Sequence, residues 1–78
     1  MDKNKMKERA IGILLCADCK IEEKEVSGIN AMYYRNTDRG GVAIIVSEQG
    51  EMLFVDPFFV DYDEHVKKFM NGERSVFE

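Results

Sequence analysis

Residues 42–55 read Val-Ala-Ile-Ile-Val-Ser-Glu-Gln-Gly-Glu-Met-Leu-Phe-Val. Two apolar runs of strand length, 42–46 and 52–55, flank the polar tetrad Ser47-Glu48-Gln49-Gly50, and this arrangement predicts a β-hairpin. Glu48 and Gln49 suit a type I turn, and Gly50 suits the left-handed position after it, which generates a bulge and sets the register. Register decides which residues face the core, because side chains alternate along a strand. With Val42, Ile44 and Val46 facing inward, Ala43 and Ile45 face outward, and Ile45 with Tyr34 or Phe54 makes an apolar contact patch.

Downstream, Asp56-Pro57 ends the second strand, since proline lacks a ladder donor and restricts the residue before it. Asp61-Tyr62-Asp63-Glu64 has the pattern of a capping box, which predicts a helix beginning at Tyr62. Tyr62, Val66, Phe69 and Met70 form its apolar stripe, Lys67 and Lys68 complement the dipole at its end, and Asn71-Gly72 stops it. The final residues include Val76 and Phe77, placed to dock as a short edge strand or to fray.

Upstream, Met6, Ala10, Ile13, Leu14, Ala17 and Ile21 recur at spacings of three and four, predicting a helix over residues 4–20 capped by Asp2 or Asn4. Gly12 lies inside it and marks either a close approach or a weak point. The charged stretch 20–25 extends this helix on an exposed face or links it to the sheet. Residues 26–36 read as a first strand through the alternation of Ile29, Ala31 and Tyr33, and Asn36-Thr37-Asp38-Arg39-Gly40-Gly41 reads as a loop. The expected fold is α+β: a three-stranded antiparallel meander carrying the N-terminal and C-terminal helices on one face, in the order α-β-β-β-α.

The chain has 78 residues, 45% apolar and 33% charged, which matches one small folded domain spanning 1–78. The formal charge of −4 is uneven: residues 51–78 hold seven acids against three bases. A basic face for phosphates is lacking, so nucleic acid is not an expected partner, whereas an acidic surface suits a basic protein. The apolar run at 11–16 is too short to cross a bilayer and carries no cleavage site, so neither a membrane nor export is expected. Two cysteines make no disulfide framework, which favours a cytoplasmic setting.

Four groups of residues carry chemical content. Cys16-Ala17-Asp18-Cys19 holds two thiols at the spacing of a redox pair or half a zinc site. A position late in a helix opposes thiolate formation, and a zinc site closes only if two chains each donate a pair. Asp56, Asp61, Asp63, Glu64 and His65 form an acidic cluster that matches no calcium loop and is accounted for by capping and turn formation, with His65 read as an exposed helical residue. Arg39-Gly40-Gly41 precedes a strand, without the helix dipole that an anion site uses, and reads as a turn. Tyr33, Tyr34, Phe54, Phe58 and Phe59 lack the basic groove of a single-strand binder and read mainly as core.

The succession from Ala43-Ile44-Ile45-Val46-Ser47-Glu48-Gln49-Gly50 through a returning strand to a capped helix near Tyr62 resembles the second half of small bacterial immunity proteins that neutralise toxins. The likeness covers about half the chain, and the tryptophan-bearing strand of such proteins has no counterpart here. It implies an acidic binding module. No nucleophile accompanies His65, since Ser27, Ser47 and Ser75 lack a nucleophile-elbow setting, so no catalytic residue is assigned. The expected function is a non-enzymatic protein-binding or regulatory module, without cofactor, acting through an acidic, partly apolar surface of Tyr34, Ile45, Phe54, Asp61, Asp63 and Glu64. An uncovered sheet face would make it a homodimer. The alternative is a zinc- or thiol-dependent protein using Cys16 and Cys19.

Overall fold

A computed structural model describes residues 2–14, 20–37, 42–55 and 61–75. Within them lie helix α1 (Lys3–Leu14), strands β1 (Ile21–Glu25), β2 (Ala31–Asn36), β3 (Ala43–Ser47) and β4 (Met52–Val55), and helix α2 (Tyr62–Met70). The strands form one antiparallel sheet in the order β1-β2-β3-β4. The fold is therefore α+β, with one strand more than the sequence pattern suggests. The additional strand is the charged stretch Ile21-Glu22-Glu23-Lys24-Glu25, which has neither apolar alternation nor favourable strand propensity.

Tertiary partners explain why this segment is extended. It pairs along its length with β2, from Ile21 opposite Asn36 to Glu25 opposite Met32. Glu23 and Glu25 point to α1, where Lys7 and Lys3 meet them. On the opposite face Lys24 lies over the Tyr62 ring, 4.6 Å from its centroid. A charged outer strand also discourages edge-to-edge pairing with another sheet. The expected first strand is correspondingly shorter. Residues 26–30 connect β1 to β2, with Gly28 at φ 85° and Val26 N–H donating to the Ala31 carbonyl at 3.1 Å.

The hairpin of β3 and β4 forms as its residues dictate. Gly50 sits at φ 84° and donates to the Ser47 carbonyl at 3.0 Å, and Ser47 N–H donates to the Glu51 carbonyl at 2.8 Å. The largest departure from expectation concerns the helices, which pack on opposite faces of the sheet. Met6, Ala10 and Leu14 of α1 cover Met32, Tyr34, Ile44, Val46 and Met52. Phe69, Tyr62 and Val66 of α2 cover Ala31, Tyr33, Ala43, Ile45 and Leu53. All five residues of β3 are buried, as expected for a strand covered on both sides.

Both helices are capped by aspartate. Asp2 Oδ1 accepts from Lys5 N–H at 2.9 Å, and Asp61 Oδ1 accepts from Glu64 N–H at 2.9 Å. Helix α1 is described over Lys3–Leu14; its expected continuation through residues 15–19 lies outside the described residues, and Lys20 is not helical. Helix α2 ends where Gly72, at φ 93°, donates to the Phe69 carbonyl. Beyond it, Ser75 N–H donates to the Met52 carbonyl at 2.8 Å and Ser75 Oγ accepts from Phe54 N–H at 2.9 Å, so this residue closes the outer edge of β4.

Two predictions test this layering. Ile44→Ala and Ile45→Ala each lose about 2–5 kcal/mol in chemical denaturation, because each side chain is fully buried under a different helix. A sheet covered on one side would instead leave one of the two substitutions near neutral. Gly12→Ala gains about 1 kcal/mol by the same measurement, since a Cβ there meets nothing within 4 Å and the residue lies in a helix interior.

Candidate functional site

The strand register separates the residues expected to form one contact patch. Tyr34 pairs with Ile44, and Ile44 pairs with Phe54, so Tyr34 and Phe54 lie on the α1 face. Ile45 lies on the α2 face. Tyr34 is 1% exposed and Ile45 0%, while Phe54 is half-buried. These three residues do not share one face, and among the described residues each sheet face is covered by a helix. Asp61 is occupied as a cap, and Asp63 and Glu64 are exposed in the first turn of α2. Cys16, Cys19, the segment Arg39-Gly40-Gly41, Asp56, Phe58, Phe59, Val76 and Phe77 lie outside the described residues.

His65 departs most from its expected position. It is 0% exposed, with Nε2 2.8 Å from the Leu53 carbonyl oxygen. That contact makes Nε2 the protonated donor nitrogen of the neutral ring and leaves the lone pair on Nδ1. Nδ1 is buried and has no hydrogen-bond partner among the described residues. Tyr33 meets the imidazole edge-on, with centroids 5.6 Å apart, and meets Tyr62 in the same manner at 4.8 Å. Burial lowers the His65 pKa below 6.5, opposed by the hydrogen bond to Leu53. His65 is thus separated from the exposed carboxylates beside it in sequence. A stripe of Tyr62, His65, Val66 and Phe69 was available to the sequence reading, at positions i, i+3, i+4 and i+7. Counting histidine as polar hid it and put Met70, which is 55% exposed, in its place.

The sheet face toward α1 shifts a second titratable group. Burial, and then the carboxylate of Glu23 opposite it across β1 and β2, push the Tyr34 phenol up to about 12. Burial also raises Tyr33, against the lowering influence of Arg35. The exposed Glu25 carboxyl is held below its ordinary value by the hydrogen bond and charge of Lys3.

Two surface grooves open at the end of the sheet where the β1–β2 and β3–β4 connections meet. One, of about 430 Å³, lies beside Asp2, Lys3, Met6 and Glu25. The other, of about 310 Å³, lies beside Glu51, Phe69, Met70 and Arg74. Ile29, Asn30 and Glu48 line both. Ile29 is half-buried, and Met70 is the large apolar side chain most open to solvent among the described residues. Lys3 pairs with Glu25, and Arg74 Nε donates to Glu51 at 3.2 Å. Each groove thus combines apolar side chains with more acids than bases. Ile29 and Asn30 fall within the expected first strand but lie in the connection before β2, where they reach the grooves.

Among the described residues, no three His, Cys, Asp or Glu side chains are grouped to hold a metal ion, and no helix is long and apolar enough to cross a membrane. No family model, no curated protein and no solved structure matches the chain.

Tyr34 yields a measurable consequence. A phenol whose pKa is higher folded than unfolded contributes stability fully present below pH 10 and lost as pH rises from 10 toward about 12. Denaturation midpoints of the wild type therefore fall across that interval, and Tyr34→Phe flattens the fall. An unchanged slope in the variant would remove Tyr34 from the account. Asp61→Ala lowers stability by about 1 kcal/mol through loss of the cap, read in the same denaturation experiment.

Proposed function

We propose that the chain is a non-enzymatic protein-binding or regulatory module of the cytoplasm, and that its contact surface is the pair of grooves around Ile29 and Asn30. The observation that carries this reading is the sharing of Ile29, Asn30 and Glu48 by both grooves, with Met70 exposed on one of them. A ridge that carries the half-buried Ile29 between two recesses suits a segment that places one side chain in each. The charged lining residues supply the charge preference. Asp2, Glu25 and Glu48 stand against Lys3 on one side, and Glu48 and Glu51 against Arg74 on the other, so a segment with Lys or Arg flanking an apolar anchor is complementary. The net charge of −4 acts in the same direction over longer range.

Amide chemical-shift mapping with a panel of basic, apolar-anchored peptides and their acidic counterparts tests the proposal. Shifts confined to the surroundings of Ile29, Asn30, Glu48 and Met70, from basic peptides alone, are the expected result. Ile29→Glu together with Met70→Glu then weakens binding by roughly tenfold or more. Shifts centred on Asp63 and Glu64, or equal binding of acidic peptides, would overturn it.

A further inference from the structure

We propose that His65 is an acid-sensitive latch, whose protonation at the buried Nδ1 releases α2 from the sheet while the layer formed by α1 and β1–β3 stays folded. The proposal rests on where a second proton must go. Nε2 already faces the Leu53 carbonyl at 2.8 Å, so an added proton enters at Nδ1. There it meets no acceptor among the described residues and no solvent, His65 being 0% exposed. A buried imidazolium without a counter-charge is strongly disfavoured, and opening the site to water is the available relief.

Among the described residues, the surrounding groups offer no alternative relief. From α2 itself, the Asp61 carbonyl accepts His65 N–H at 2.9 Å and its carboxylate accepts Glu64 N–H, while Asp63 and Glu64 are exposed. The side chains turned to the α2 face from β3 and β4 are Ala43, Ile45, Ser47, Leu53 and Val55, and Ser47 Oγ accepts from Glu51 N–H at 3.1 Å. β2 presents the Tyr33 ring edge, with Arg35 exposed beyond it, and β1 presents Glu22, which pairs with Arg35 at 4.0 Å, and Lys24 over Tyr62. The phenols near the imidazole are those of Tyr33 and Tyr62, and Arg74 stacks on Phe69 with 3.8 Å between its guanidinium carbon and the ring centroid. The lowered His65 pKa follows from this environment.

Helix α2 is the element suited to leave. It has nine residues, of which only His65 and Phe69 are buried, and a helix of that length does not persist alone in water. The α1 layer buries a separate set of side chains on the opposite sheet face, so opening at α2 leaves the α1 cluster covered. Because the closed form resists protonation, the opened form takes up the proton first. The stability from neutral burial is present above the ordinary histidine value of 6.5 and is lost as pH falls below it toward the depressed one.

Amide hydrogen exchange, corrected for intrinsic rates, provides the test at pH 7.5 and pH 5.5. Protection of the α2 amides is expected to fall by up to about tenfold between the two, with α1, β2 and β3 unchanged. Unaltered protection in α2, or an equal loss in every element, would overturn the latch. His65→Gln keeps an amide donor toward Leu53 without a titrating group, and its α2 protection is expected to be the same at both pH values. A pH-dependent loss persisting in that variant would assign the effect elsewhere. Where the variant does not fold, the element-by-element comparison in the wild-type protein decides.

Discussion

The division of side chains between the two layers of this fold follows from β3 being buried on both faces. A five-residue strand with Ala43, Ile45 and Ser47 on one side and Ile44 and Val46 on the other cannot leave either side open without exposing β-branched apolar surface. Two helices in opposite layers follow from that requirement. The neighbours of β3 inherit the same division: Tyr33 and Leu53 join Ile45, and Tyr34 and Phe54 join Ile44. Toward the sheet margins the requirement relaxes, so β1 carries charge and Ser75 closes β4 with a hydroxyl and an amide. In a sheet of four strands, β3 lies next to one edge strand and two strands from the other.

Where local chemistry is self-sufficient, the fold was legible from residues alone. Gly50 after Glu48-Gln49 marked the hairpin, Asp61 marked the start of α2, and Gly72 marked its end, each through a backbone requirement satisfied within a few residues. The periodicity of Met6, Ala10 and Leu14 marked α1 in the same way. β1 was illegible because its extended state comes from partners distant in sequence: β2 for its backbone, Lys3 and Lys7 for its carboxylates, Tyr62 for Lys24. The continuous apolar run of β3 is compatible with one covered face or two, and only the number of available layers resolves it.

The site was less legible than the fold, for related reasons. Strand-to-strand register determines whether Tyr34 and Ile45 share a face, and a displacement of one residue in the first strand reverses the answer. His65 carries both a polar and an apolar identity, and its neutral ring is compatible with a core position once one nitrogen has an acceptor. Its neighbours in sequence, Asp63 and Glu64, point to solvent, so proximity along the chain gave a cluster that the helix turns apart. The grooves near Ile29 arise from two connections meeting at one sheet end, which is a property of topology rather than of any short motif.

The pairing of α1 with β1 has a further geometric content. Lys3 and Lys7 stand one helical step of four residues apart, about 6 Å along the axis, and their partners Glu25 and Glu23 stand two residues apart on a strand, about 6.8 Å. The two repeats nearly coincide, and they run in opposite chain directions. Helix and strand therefore act as the two scales of a vernier: both charges align at one setting, and sliding α1 along the sheet by a turn leaves at least one ammonium opposite no carboxylate. Exposed ion pairs of this kind add little to stability singly, but here the two together index the position of α1 along the sheet.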